Sequence, residues 1–129
     1  MPLLTFDILE GRSEQQITQM LDAAHRAVLT AFKVPERDRY QIVHENKPYQ
    51  MVIQDTGLGI ERTDNIVVLR VFTSPRSEEQ KALFLTELCR ELHEQCGILP
   101  NDVMVSFISN TRSDWSFGNG VAQYVTGEL

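Results

Sequence analysis

No run in this sequence approaches the ~20 consecutive apolar residues that a membrane-crossing helix needs, so a helical membrane span is excluded. Basic charge is scarce as well. The chain holds 12 Lys and Arg against 18 Asp and Glu, a net charge of −6. A protein that neutralises several phosphates presents a basic face, so nucleic acid is not an expected partner. Cysteine is limited to Cys89 and Cys96. Two cysteines make no disulfide framework, and a reducing cytoplasm is the expected compartment. The opening Met1-Pro2-Leu3-Leu4-Thr5-Phe6-Asp7 lacks a basic stretch and a long apolar core, so no signal peptide is expected. What is present is ordinary: 129 residues, 42% hydrophobic and 23% charged. That composition fits a single globular domain over residues 1–129.

The chain also repeats itself. Arg12-Ser13-Glu14-Gln15-Gln16 returns as Arg76-Ser77-Glu78-Glu79-Gln80, and at the same offset Asp38 falls on Asp102 and Val34 on Ile98. The halves run from about 2–46 and 66–110. Each opens on a β-prone run, residues 3–9 and 66–73. A capping box follows, Ser13 with Gln16 and Ser77 with Gln80. Apolar stripes of helical period predict helices near 13–32 and 77–96. Pro35 and Pro100 forbid their continuation. Strands at 39–45 and 103–108 complete two β-α-β units, whose strands pair in parallel. Between the halves, a short strand is expected at Met51-Val52-Ile53 and a turn at Gly57-Leu58-Gly59. The tail from Trp115 predicts a hairpin about Gly118-Asn119-Gly120. This is an α/β (α+β) chain: a four-stranded sheet with two helices on one face. The strands read as near-continuous apolar runs, which suit burial on both faces. Two helices cover only one, so self-association is expected.

Several residues carry candidate chemistry. Removal of Met1 leaves Pro2 with a secondary amine at a strand start. A free α-amino group titrates near neutrality, at roughly 7.7–8.0 unperturbed, and serves as base or acid according to its proton. An inert proline is the competing reading. Arg12 and Arg76 precede helix starts, where an arginine can grip a carboxylate bidentately or simply be solvated. Asp38 is a candidate general base or a partner for a neighbouring arginine. Cys89, His93 and Cys96 share a helical face, but Cys96 continues the core stripe, and core packing is favoured over a metal site. His25 reads as packed or exposed beside the core stripe. Gly57-Leu58-Gly59 lacks the third glycine of a dinucleotide fingerprint.

Longer motifs carry a resemblance. Pro2 opening the first strand, two β-α-β halves and Arg76 at the second helix start resemble the tautomerase superfamily. Leu21-Asp22-Ala23-Ala24-His25, Asp38-Arg39-Tyr40-Gln41-Ile42-Val43-His44-Glu45-Asn46, Asp55-Thr56-Gly57-Leu58-Gly59, Asp114-Trp115-Ser116-Phe117-Gly118 and Thr126-Gly127-Glu128-Leu129 are similar to its malonate semialdehyde decarboxylase subgroup. The resemblance runs end to end. It implies a tautomerase-like fold, a homotrimer with sites near subunit boundaries, no cofactor and no metal. It implies an enzyme of small oxo carboxylates: a 3-oxo acid decarboxylase or hydratase, or a keto–enol tautomerase. A catalytically silent trimeric binding protein is the alternative from another class. By resemblance Pro2, Asp38 and Arg76 are catalytic, and Trp115, Phe117, Tyr124 and Leu129 line the substrate. The subgroup carries two arginines near the second helix. Here the first of those positions is Ser74, and Arg70, of the same parity along the strand, is a candidate substitute.

Overall fold

The computed structural model describes residues 1–129. The chain runs β1 (Pro2–Leu9), α1 (Glu14–Phe32), β2 (Tyr40–Asn46), β3 (Val67–Thr73), α2 (Glu78–Cys96), β4 (Val103–Ser109) and a short α3 (Gln123–Thr126). Three 3-10 turns lie at Pro48–Gln50, Pro100–Asp102 and Arg112–Asp114. The sheet order is β2-β1-β3-β4. β1 pairs parallel with β2, and β3 with β4, while β1 and β3 meet antiparallel with Pro2 opposite Thr73 and Ile8 opposite Val67.

Local chemistry explains the helix ends. Both capping boxes form: Ser13 and Ser77 accept the N–H groups of Gln16 and Gln80, and each glutamine side chain reaches back. α2 stops on Gly97 at φ 68, a left-handed backbone that glycine adopts without steric cost. The helices pack together on one face of the sheet. Leu4, Phe6 and Ile8 of β1 and Val67, Leu69 and Val71 of β3 meet Met20, Val28, Phe84, Leu88 and Leu92, all nearly fully buried. Ala23, Ala24, Ala27 and Ala31 let α1 approach closely. Phe32 stacks on Phe84 at 5.2 Å between centroids.

The other sheet face has no helix over it. Tyr40, Ile42, Met104 and Ile108 stand exposed there. Near its middle, Asp7 takes Arg70 at 2.5 Å and has His44 at 3.5 Å.

Two expected elements do not form. Residues 51–53 are not a strand. The backbone of this connection is bonded by side chains instead: Asp55 accepts Gly57 N–H at 3.1 Å and Gly59 N–H at 2.8 Å, and Arg62 donates to the carbonyls of Gln54 and Asn101. The Gly57–Gly59 turn itself is present, with both glycines at positive φ. The tail hairpin is also absent. Gly118, Asn119 and Gly120 turn the chain at positive φ, but the Gln123 side chain closes the turn. It accepts Phe117 N–H at 2.9 Å and donates to the Gly118 carbonyl at 3.0 Å, and α3 begins where a second strand was expected.

Candidate active site

Pro2 is buried where β1 begins. The parallel register with β2 brings the 35–39 turn beside it, and the antiparallel register with β3 brings Thr73 and the start of α2. Three connections thus converge on one strand end. The turn that carries Asp38 is held at two points. Asp38 N–H donates to the Pro35 carbonyl at 2.9 Å. The buried ring of His25 donates through Nε2 to the Glu36 carbonyl at 2.8 Å. His25, read from sequence as a packed or exposed residue, therefore positions the Asp38 loop.

Arg76 is aimed by its neighbours. Its Nε donates to Thr73 Oγ1 at 3.1 Å, and its guanidinium lies over the Phe32 ring at 4.8 Å. One N–H and one face are committed, and the remaining N–H groups are free for a carboxylate. Asp38 is only 6% exposed, yet neither carboxylate oxygen has a hydrogen-bond partner. Buried polar groups are nearly always paired, and an unpaired one marks strain or function. Burial pushes the Asp38 carboxyl above its ordinary range, while the chain's amine, Arg76 and His25 pull it back down. Burial also lowers the pKa of the Met1 amine, with Arg76 acting in the same direction and Asp38 against it.

Two clefts meet at Met1 and Asp38. One, of about 440 Å³, is lined by Ser74, Arg76, Arg112 and Tyr124. The other, of about 360 Å³, is lined by Arg37, Tyr40, Phe117 and Leu129. Phe117 stacks against Tyr40 at 5.7 Å and Trp115 at 5.6 Å, and meets Tyr124 edge-on at 5.7 Å. Trp115 lies behind Phe117, lines neither cleft and donates through Nε1 to Asn110. The structure does not bring Arg70 to the site: its guanidinium is on Asp7, on the uncovered sheet face. Arg112 and Arg37 were not singled out from sequence, because neither belongs to a periodic or repeated pattern.

The repeat supplies an internal comparison. At the opposite end of the sheet a cavity of about 390 Å³ contains Arg12, the counterpart of Arg76. There Arg12 donates to the Asn65 carbonyl at 2.6 Å, and Asp102, the counterpart of Asp38, accepts both Thr63 N–H and Thr63 Oγ1–H. β3 is entered through an ordinary peptide, so no amine stands at that end. One end is internally satisfied, and the other keeps an open carboxylate.

Comparison with known proteins places this arrangement. Two family models described as tautomerase enzyme match, one over residues 38–118 and one over residues 2–60. The chain belongs to the tautomerase superfamily. It is 50% identical over its full length, and that of the relative, to a probable tautomerase of Bacillus subtilis (strain 168), YrdN. A second probable tautomerase of that organism, YusQ, is 28% identical over 97% of this chain and 99% of its own. Among solved structures, a malonate semialdehyde decarboxylase with decarboxylase and hydratase activities matches at TM-score 0.96 and 50% identity, over 98% of both chains. A malonate semialdehyde decarboxylase inhibited by 3-bromopropiolate matches at 0.94 and 37%, over 98% of this chain and 97% of its own. The protein is thus a tautomerase-superfamily enzyme.

The open carboxylate has a measurable consequence for stability. Its folded-state pKa lies above the unfolded one, so this group contributes stability below the unfolded pKa and loses it as pH rises through the folded pKa. In a chain carrying Met1, Asp38→Asn is expected to raise the thermal midpoint by a few degrees near neutrality. The gap should shrink toward about pH 4, where the unfolded carboxyl is protonated. Melting curves of both chains over this range check it. A gap that does not depend on pH contradicts the assignment.

Proposed function

We propose that this protein is an amino-terminal-proline enzyme of small oxo carboxylates, active once Met1 is removed, that tautomerises 2-oxo acids and, more weakly with Ser74 in its cleft, decarboxylates or hydrates 3-oxo acids. The observation that supports it most is the unpartnered Asp38 carboxylate at the mouth of β1, beside Arg76 and the chain's amine. Loss of Met1 changes Pro2 from an amide nitrogen without a proton into an amine that carries up to two. That amine is the donor Asp38 lacks.

The residues divide the work. Arg76 holds the substrate carboxylate through its free N–H groups. Protonated Pro2 donates a hydrogen bond to the 3-oxo oxygen. When the C–C bond to the carboxylate breaks, CO2 leaves and the electron pair passes into an enolate at the polarised oxo group. Pro2 then gives its proton to carbon and recovers another from water. Asp38 holds the ammonium form and orients the water that adds to the carbonyl in hydration. Phe117 and Leu129 exclude bulk water and strengthen these charge interactions. The same groups carry keto–enol tautomerisation when Pro2 is neutral: the amine takes a proton from carbon or oxygen and returns it to the other. The two probable tautomerases among the relatives favour this reading.

The uncovered sheet face supports assembly into a homotrimer, as does the likeness to a fused 4-OT described as a symmetric trimer, at TM-score 0.78 and 21% identity. One preparation tests both readings. Incubation with 3-bromopropiolate is expected to add a covalent adduct at Pro2 and to abolish turnover of malonate semialdehyde and of a 2-oxo acid enol. Light scattering is expected to give about three times 14.8 kDa. An unmodified Pro2 with no turnover of either acid leaves only the silent binding protein. A stable single-chain mass removes the trimer.

A further inference from the structure

Arginines in this fold are nearly all committed. Arg12, Arg26, Arg39, Arg62, Arg70, Arg76 and Arg90 each donate to a partner within the chain. Arg37 and Arg112 do not, and both lie on the clefts that meet at Asp38. Arg112 is the better placed, since it shares its cleft with Arg76, Ser74 and Tyr124. Its backbone is anchored: the Asp114 carboxylate accepts Thr111 N–H at 2.7 Å and Thr111 Oγ1–H at 2.9 Å, closing the turn that presents it. Its guanidinium stands over the Tyr124 ring at 4.8 Å, which fixes one face and leaves every N–H free. Tyr124 feels both arginines. Burial and then Asp38 raise its pKa, while Arg112 and Arg76 act to lower it.

The charge count of this cleft is unusual for so acidic a chain. Lys33, Arg76 and Arg112 line it against Asp38 alone. With Asp38 on the Pro2 ammonium and one substrate carboxylate on Arg76, Lys33 and Arg112 remain without a partner, and of the two only Arg112 carries a fork. A guanidinium fork recognises a second carboxylate well, and the aromatic face beneath it pre-orders that fork. A volume of about 440 Å³ is ample for a small organic acid with both ends inside.

We propose that Arg112 is a specificity-determining residue that takes the second carboxylate of a short 2-oxo dicarboxylate whose first carboxylate lies on Arg76. This rests on the reading of the cleft as an oxo-acid site and names the substrates it favours. Arg112 stands at the rim and acts on binding. Its loss therefore appears in KM more than in kcat.

The test compares a 2-oxo dicarboxylate, 2-oxoglutarate, with the 2-oxo monocarboxylate of equal chain length, by turnover of the enols and by titration calorimetry of the ketones. The parent chain without Met1 is expected to prefer the dicarboxylate. Arg112→Gln should lower the ratio of kcat/KM values, and of affinities, by about tenfold or more, and Arg112→Lys should restore part of it. Lys47→Gln removes the same charge from an exposed turn residue and should leave the ratio unchanged. A ratio equal in the parent and Arg112→Gln overturns the assignment. Binding that depends on Arg112 without turnover of either acid supports the specificity role and overturns the catalytic reading. Turnover of both acids with no preference does the reverse.

Discussion

A chain that keeps Met1 behind an uncleaved extension is expected to lose about two to four orders of magnitude in turnover, with its fold intact. The argument is chemical. Inside a peptide bond the Pro2 nitrogen has neither a basic lone pair nor a proton, so it can be neither base nor acid. The geometry agrees: Met1 lines both clefts that meet at Asp38, where the substrate has to sit. The cost to folding is small, because β1 pairs with β2 over Leu3–Leu9 and with β3 over Pro2–Ile8 and does not depend on Met1. Pro2→Ala is the milder variant. It leaves a primary amine on a strand start whose nitrogen is no longer tied into a ring, and most activity should still go. Turnover of oxo acids, with circular dichroism and melting as fold controls, measures both. Equal turnover in either chain rules out proline chemistry.

What could be read in advance was whatever depends on neighbours in sequence. The capping boxes at Ser13 and Ser77 and the apolar stripes behind them are local, and both helices lie where they predict. Asp38 and Arg76 were visible as candidates through the repeat. That Asp38 is open while Asp102 is closed was not, because the difference is Thr63, a residue of the long connection that folds over the second end alone. Arg70 shows the limit of strand parity. Its parity with Ser74 was evident, but the β1–β3 register, set only when the halves pair, brings Asp7 within its reach. The tail failed for a similar reason. A Gly-Asn-Gly turn normally implies a hairpin, and here one glutamine side chain competes successfully with strand pairing. Arg112 is carried to the cleft by Tyr124, which packs on Phe117, and Phe117 in turn folds back on Tyr40, a contact between residues far apart in sequence.

Arg76→Ala should cost about one to two orders of magnitude in kcat/KM for every oxo acid, since a charge-assisted carboxylate contact is worth roughly 1.5–3 kcal/mol. Both kcat and KM should move, because the guanidinium holds the substrate and also sets the field on the Pro2 amine: a cation close to an amine lowers its pKa. Its loss should therefore shift the pH profile, raising the pKa of the catalytic amine, which Arg112 at the rim is too exposed to prevent. Ser74→Arg is the converse change. Ser74 lines the same cleft one residue beyond Thr73, the strand partner of Pro2. Its hydroxyl offers neutral hydrogen bonding, about half as strong as a charged bond. Decarboxylation develops full negative charge on the oxo group as CO2 leaves, and stabilising developing charge is usually the largest catalytic contribution. Tautomerisation moves one proton and develops charge only briefly. The parent should therefore tautomerise measurably and decarboxylate malonate semialdehyde weakly, and Ser74→Arg should raise decarboxylation by about tenfold or more with little change in tautomerisation. Steady-state constants for both reactions in the three chains separate these effects. An efficient parent decarboxylase that gains nothing from the new arginine would show that Arg76 and the backbone already supply the charge the reaction needs.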